Sequence, residues 1–501
     1  MFQHHRSHGQ RKGQEALNEC QTFVECGNMY RRTRPRVLRL FLLFSVVSCT
    51  LLFAPRLFAA FTNLPLFYVE DTFLAETVNR NPPCPSILKN GTVCCDRTSF
   101  RTDVCYMKGD IRTISSTNSI FLYTAFLNTT EQKQEKETIK IKPYTRKWET
   151  SLMNTIDELT LVKTSSSPYH HHCDAHHSVP AIFFSTGGYT GNVYHEFNDG
   201  IIPLYITSQK YKKEVVFVIL EYHSWWITKY SDILSHLSNY APIDFANSKQ
   251  RHCFSEAIVG LNIHDELTVN SSMMRDDPKS MLDFRRLLDD AYRPRIRGLL
   301  GEEGRKEDEN ERGQRLISNP KLVIISRNGS RAILNQETLV KVAEEIGFKV
   351  EVLSPTRTTE LAKVYRSLNS SDVMVGVHGA AMTHFMFMRP GTVFIQVVPL
   401  GTDWAAQTYY GDPAMKLGLR YINYKILPRE SSLYAQYDKD DPVLTDPQSL
   451  NKKGWEVTKR LYLDGQIVTL EMKRFRKRLL RAYIYSVSRR RKEMVGRSVS
   501  L

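Results

Sequence analysis

Between residues 40 and 472 the chain carries no net charge. The whole sequence has 68 Lys/Arg against 53 Asp/Glu, a formal excess of +15. Residues 1–39 hold eight Lys/Arg and three Glu, and residues 473–501 hold eleven Lys/Arg and one Glu, so the two ends account for all of it. A neutral body has no broad cationic face for tracking phosphates, and no nucleic-acid partner is expected. The nucleotide fingerprints are missing too: there is no G-x-G-x-x-G and no phosphate loop ending in Gly-Lys-Ser/Thr. Zinc spacing is also lacking. The run Pro168-Tyr-His-His-His-Cys-Asp-Ala-His-His177 has no C-x-x-C spacing, and Cys173 is better used as a disulfide partner. One nominal Asp-x-Asp, Asp438-Lys-Asp440, lies in a polar loop and does not follow a buried strand, so it is not read as a metal site.

Long hydrophobic runs are scarce. The strongest is Val37 to Phe61, in which Leu40 to Pro55 is uncharged over 16 residues. A spanning helix needs roughly 20 apolar residues, and Arg39 and Arg56 can snorkel to extend this one. Arg31, Arg32, Arg34, Arg36 and Arg39 crowd its N-terminal side, which keeps that side cytosolic and sends the rest across. A cleaved signal peptide is the alternative, but the apolar core starts late and Ala59-Ala60 is a weak cleavage site.

The chain beyond this run suits an oxidising lumen. Of nine cysteines, six lie there: Cys84, Cys94, Cys95, Cys105, Cys173 and Cys253. That even number suits disulfides, and the adjacent Cys94 and Cys95 are expected to reach different partners. Asn-x-Ser/Thr sequons occur at Asn90, Asn128, Asn270, Asn328 and Asn369, all beyond the anchor.

Organisation follows from composition. The stretch Gly301 to Arg315 contains no apolar residue and reads as a linker. The expected order is a tail (1–36), an anchor (37–61), a stem (62–82) and a first α/β domain (83–300). The linker (301–315), a second α/β domain (316–430), a return segment with an amphipathic helix (431–490) and a tail (491–501) complete it. In the second domain apolar runs at 321–326, 349–353, 373–377 and 392–398 alternate with helical periodicity at 337–346 and 359–368, which implies βαβ units and a parallel sheet. In the first, Ala181–Ser185, Ile201–Ile206 and Glu214–Leu220 read as strands or buried runs. The basic C-terminal stretch carries Phe475, Leu479, Leu480, Tyr483 and Ile484 at helical spacing and is expected to dock by that stripe.

Chemistry concentrates in three places. Val375-Gly-Val-His-Gly-Ala-Ala-Met-Thr-His384 reads as a strand, a glycine turn and a helix start, a seat for a diphosphate, with His378 on the turn beside Gly379. Thr383 and His384 lie on the helix. Arg327 follows the 321–326 strand and Arg331 is close by, and guanidinium groups there can grip phosphate in pairs of bonds. Phe184 to Asp199 packs glycines, aromatics and three candidate bases, His195, Glu196 and Asp199. Trp404 and Tyr409, after the 392–398 strand, are placed to stack on a base or a sugar.

These blocks resemble the plant branch of glycosyltransferase family 61, the group containing grass xylan arabinosyl- and xylosyltransferases. The resemblance rests on Cys95-Asp-Arg through Cys105, Gly109-Asp-Ile-Arg112, Val179 to Asp199, Leu322 to Arg331, Met374 to Gly401, Glu430-Ser-Ser-Leu-Tyr and Lys453-Gly-Trp-Glu. Ala381-Met382 stands where Gly-Leu is commoner in the family. Membership implies a type II Golgi membrane enzyme with a lumenal GT-B fold, two Rossmann-type domains facing a cleft. It also implies anomeric inversion with a UDP-sugar as donor and no bound metal or other cofactor. Arg327, Arg331, His378, Gly379, Thr383, His384 and Trp404 then become the nucleotide-sugar side, and His195, Glu196 and Asp199 the base region. The expected partners are a UDP-pentose, with arabinofuranose ahead of xylose, and a xylan or oligosaccharide acceptor. A complex with other Golgi transferases is also open. The rival readings are an N-glycan β-1,2-xylosyltransferase and a non-catalytic subunit of a synthase complex.

Overall fold

The computed structural model describes residues 84–124, 137–165, 172–274, 276–304 and 318–498. The expected tail, anchor and stem, Asn128, Tyr169 to His171 and most of the charged linker lie outside them. Among the described residues no helix is long and apolar enough to cross a membrane.

The chain is α/β, built on two sheets. The first contains ten strands: β1 Thr92–Asp96, β2 Val104–Ile114, β3 Ser119–Tyr123, β4 Glu137–Ile141, β5 Leu159–Thr164, β6 Ala175–His176, β7 Ala181–Ser185, β8 Val216–Leu220, β9 Ile243–Asp244 and β10 His252–Val259. Its main order is β4-β5-β3-β2-β10-β7-β8-β9, with β1 beside β2 and β6 beside β10. Strands β10, β7, β8 and β9 run parallel, and β2 pairs antiparallel with β10. This half is therefore a parallel core extended by a mixed wing, a departure from the expected Rossmann-type domain. The wing carries two of the disulfides, Cys84–Cys94 and Cys95–Cys105, and Cys173–Cys253 ties the β6 region to β10. Cys94 and Cys95 do reach different partners.

The second sheet is wholly parallel: β11 Lys321–Ile325, β12 Lys349–Leu353, β13 Val373–Val377, β14 Val393–Val398 and β15 Arg420–Lys425, in the order β12-β11-β13-β14-β15. Every residue of β7, β8, β13 and β14 is buried, as central strands covered on both faces must be. The order reverses between β12 and β13 on either side of β11, and in open α/β sheets ligands bind outside the carboxyl ends of the strands at such a point.

Both sheets belong to one unit, Asn81–Leu501. The helix Met281–Glu302 clasps them together. Its Arg285, 3% exposed, donates to Met388 O (2.9 Å), Phe387 O (3.1 Å) and Asn369 Oδ1 (2.8 Å). The sequon at Asn369 is thus occupied structurally.

Two elements sharpen the expectation. Residues Ile202–Ser208 form a helix and every one of them is buried, so of the two readings, strand or buried run, the second holds. Burial all round erases the polar face from which a helical period is read. The C-terminal helix, Met472–Ser498, docks through Phe475, Leu479 and Ala482, all 0% exposed, while Leu480 and Ile484 face outward at 39% and 56%. The docking stripe continues into charge: Arg489 and Arg490 converge on Asp372, itself 0% exposed, with Arg489 at 2.8 Å.

Candidate active site

Asn192 starts the local architecture, its side chain accepting from Tyr194 N as an N-cap. One helical turn, Val193–His195, runs directly into a π-helical turn, Glu196–Ile201, and then into Ile202–Ser208. π-turns concentrate at functional sites because the widened coil re-aims side chains. His195 and Asp199, at i and i+4, face each other across it: His195 Nδ1–H donates to Asp199 Oδ2 at 2.7 Å. The Asp199 side chain is 1% exposed and also takes Asn198 Nδ2 (2.7 Å) and Arg146 (3.4 Å). With Nδ1 committed as donor, Nε2 of His195 holds the lone pair.

The three carboxyl and imidazole groups of this segment are therefore not equivalent. Asp199 is sealed behind His195. Glu196, 5% exposed, accepts from Gly191 N at 2.9 Å and from the Tyr230 hydroxyl. His195 Nε2 has no hydrogen-bond partner among the described residues, and the Tyr189 ring stacks on the imidazole at 4.2 Å.

The second wall lies at the carboxyl ends of the parallel sheet. Arg327 and Arg331 follow β11, and the turn at His378-Gly379 follows β13. Gly379 has φ +143°, and a Cβ there would stand 2.9 Å from an Arg327 Nη1 and 3.1 Å from that of Arg331. The missing side chain is the space in which both guanidinium groups sit. Burial lowers the Arg327 pKa first, and the neighbouring Arg331 charge adds to that. Arg331 is lowered by burial while Asp464 opposes the shift. Its Nε is buried without a hydrogen-bond partner among the described residues.

His378 lies beneath these arginines. Gln396 Nε2 donates to its Nδ1 at 2.9 Å, and Tyr421 OH donates to Gln396 Oε1 at 2.7 Å. The chain of donors fixes a neutral ring protonated on Nε2. Burial, then Arg331 and Arg327, push the His378 pKa down to about 3. His384 is the opposite tautomer: its Nδ1–H donates to Ala381 O at 2.9 Å, and burial brings its pKa to about 4. The expected helix start here is a 3-10 helix, Ala380–Phe387.

A cleft of about 490 Å³ joins the two walls. Gly191, Asn192, Val193 and Lys229 line it from the first half, and Ser326, Arg327, Asn328, Arg331, Ser354, Thr356, Arg357, Ala380 and His384 from the second. It contains four cations, Lys229, Arg327, Arg331 and Arg357, and no carboxylate. None of the four is ion-paired among the described residues. Gly191 is a point of close approach between the halves: a Cβ there would lie 1.8 Å from Arg357 Nη2.

Of the residues singled out from sequence, Arg327, Arg331 and His384 line this cleft, and His378 and Gly379 support it from behind. Thr383 is buried at 0% and does not line it. Trp404 stands apart, 44% exposed, against Tyr409 (5.8 Å) and Trp455 (5.5 Å). Sequence reasoning missed Arg146, Lys229, Arg357 and Gln396. Arg357 alone carried a signal, since it follows the end of β12 as Arg327 follows β11.

A cationic cleft at the switch point of a parallel sheet, lined by Gly191–Val193 just before a histidine–carboxylate pair in the chain, is the layout of an enzyme that moves a group off a phosphate-activated donor; His195 and Glu196 themselves line a smaller pocket with Tyr189 and Trp226. Residues 193–395 match the family model described as Glycosyltransferase 61. Xylan glycosyltransferase MUCI21 of Arabidopsis thaliana is 55% identical over 471 residues, 93% of this chain and 94% of that protein. Alpha-1,3-arabinosyltransferase XAT3 of Oryza sativa subsp. japonica is 36% identical over 82% of this chain and 68% of its own length. Beta-1,2-xylosyltransferase XYXT1 of the same organism is 35% identical over 82% and 91%. The chain belongs to glycosyltransferase family 61 and is a glycosyltransferase.

Proposed function

We propose that the protein transfers a pentose from a UDP-sugar to xylan, with inversion and without a metal, as a type II enzyme of the Golgi lumen with a GT-B arrangement of its halves. The observation that carries this reading is the His195–Asp199 pair on the segment whose preceding residues, Gly191–Val193, line a cleft of cations that have no ion-pair partner among the described residues. His195 Nε2 takes the proton of the acceptor hydroxyl, and Asp199 holds the ring and stabilises the imidazolium. The acceptor oxygen bonds to the anomeric carbon as the bond from that carbon to the diphosphate breaks. The departing diphosphate gathers negative charge, and Arg327, Arg331, Lys229 and Arg357 receive it. Four fixed cations supply what a divalent ion supplies elsewhere, so no ion is required in this scheme. The names of the relatives support xylan as acceptor and a pentose as donor, with arabinofuranose tested first and xylose second.

The test is direct. The full chain is incubated with UDP-arabinofuranose, UDP-xylose or UDP-GlcNAc, with xylo-oligosaccharide or N-glycan acceptors, with and without EDTA. Pentose transfer to xylo-oligosaccharides, inverted at the anomeric carbon and indifferent to EDTA, is expected. Transfer confined to N-glycans, or no transfer at all, overturns the substrate assignment, and loss of activity in EDTA overturns the metal-free mechanism.

A further inference from the structure

A row of aromatic side chains crosses the molecule on either side of His195, and the donor cleft uses none of it. It starts at Phe100, 71% exposed, which lies flat on Trp148 with centroids 5.1 Å apart. The Arg146 guanidinium sits over Trp148 (4.7 Å) and over Tyr189 (5.5 Å). Tyr189, 39% exposed, stacks on His195. Beyond His195 the row continues in the other half of the fold. Tyr194 meets His195 edge-on at 5.1 Å and Tyr409 at 5.6 Å, and Tyr409 meets Trp404 at 5.8 Å.

Tyr194 is buried and links two stretches of the row, which present Phe100 and Tyr189 on one side and Trp404 on the other, and exposed aromatic surface of this kind marks a binding site. Its chemistry excludes a diphosphate, which the cationic cleft already suits. Flat rings fit a ligand with apolar faces and polar edges, and a neutral polysaccharide of pyranose rings is such a ligand: C–H bonds on both faces, hydroxyls around the rim. The row is also held rigid, which lowers the ordering cost of binding. Tyr189 OH donates to Glu149 at 2.7 Å, and Arg101, beside Trp148, pairs with Glu266 at 2.8 Å.

We propose that this row is the acceptor track. An extended xylan chain lies across Phe100, Tyr189, Tyr409 and Trp404, which brings one hydroxyl to His195 Nε2. The track rests on the reading of His195 as the base that accepts that hydroxyl's proton.

The experiment compares xylohexaose with xylobiose as acceptors for the full-length protein. Phe100 and Trp404 are exposed, so truncating them leaves the core alone, and Phe100→Leu keeps the bulk while removing the flat ring. In Phe100→Leu and in Trp404→Ala, the ratio of kcat/KM for xylohexaose to that for xylobiose should fall about tenfold, through KM. Trp404→Phe should restore most of it. Xylohexaose binding, followed by calorimetry, should survive in His195→Ala and weaken in the double variant Phe100→Leu/Trp404→Ala. Normal transfer with an unchanged length preference in both single variants overturns the track and leaves the activity standing. Binding through Phe100 and Trp404 without transfer by the wild type supports the track and removes the base assignment. Absence of xylohexaose binding by the wild type overturns the track.

Discussion

Replacing Asp199 by Asn tests the proposed catalytic pair at its most exposed logical point. The substitution keeps size and hydrogen-bonding capacity but removes the charge. Asp199 has a side chain 1% exposed, so it cannot reach a substrate and acts only through His195. With a neutral amide at 2.7 Å the ring loses its preferred tautomer, and the imidazolium formed on proton transfer loses its counter-charge. General-base catalysis contributes roughly 10²- to 10⁴-fold, or about 2.7–5.4 kcal/mol of barrier, and kcat should fall within that range. Arg146 still pairs with Glu149, so the fold should survive. The cleft arginines are untouched, so the KM for the UDP-sugar should hold. Initial rates over a donor series, with thermal melts to confirm folding, provide the measurement. His195→Ala should cost as much, and the double variant His195→Ala/Asp199→Asn no more than His195→Ala alone, because the two act as one unit. A folded Asp199→Asn enzyme with kcat within about threefold of wild type would refute the reasoning.

Gly379→Ala should weaken UDP binding by about tenfold in calorimetry: at φ +143° the new Cβ is strained and stands 2.9 Å from Arg327 Nη1. Unchanged affinity would mean the arginines are not positioned by that gap. Acid should destabilise the fold through its buried histidines. The folded pKa values, about 3 for His378 and about 4 for His384, lie below the ordinary 6.5, so the native state binds fewer protons and stability falls as pH drops from about 6.5 toward 4. Urea titrations at graded pH should show a shallower decline for His384→Asn than for wild type, and an identical slope would refute the assignment. Asn369→Gln should lower the melting temperature with no change in glycan mass, since Asn369 holds Arg285 at 2.8 Å. Asn90→Gln, at an exposed position, should remove glycan mass and leave stability unmoved. Mass spectrometry and melts of both proteins, expressed through a secretory pathway, separate these outcomes.

The second sheet was legible because its strands are short apolar runs set between amphipathic helices, and its register placed Arg327 and His378 at one end of neighbouring strands. The grouping of cations was only half legible. Lys229 lies on the Ser224–Leu237 helix of the other half, and no local pattern brings it to Arg327. The stripe on the C-terminal helix was legible in Phe475 and Leu479, which dock, but not in its continuation, because Arg490 is buried against Asp372 and a buried charge pair leaves no hydrophobic trace in sequence.

The proposed catalytic pair was hidden by something more specific. Histidine and aspartate at i, i+4 on a helix face one another, so reading 193–208 as helical would have separated His195 and Asp199 from Glu196 at once. Local rules argue against that helix: it contains Gly200 and Pro203, and its continuity depends on a π-turn. Packing offsets the local cost, since Phe197, Ile201 and Ile202 are at most 1% exposed. The second half repeats the device. Gln407–Gly411 is also a π-turn, and its Tyr409 and Tyr410 come within 5.6 and 5.8 Å of Tyr194. Two segments that break helical rules thus meet beside the proposed base. Propensity fails where each half must turn a side chain toward the other, and that is where a transfer site between two halves has to be built.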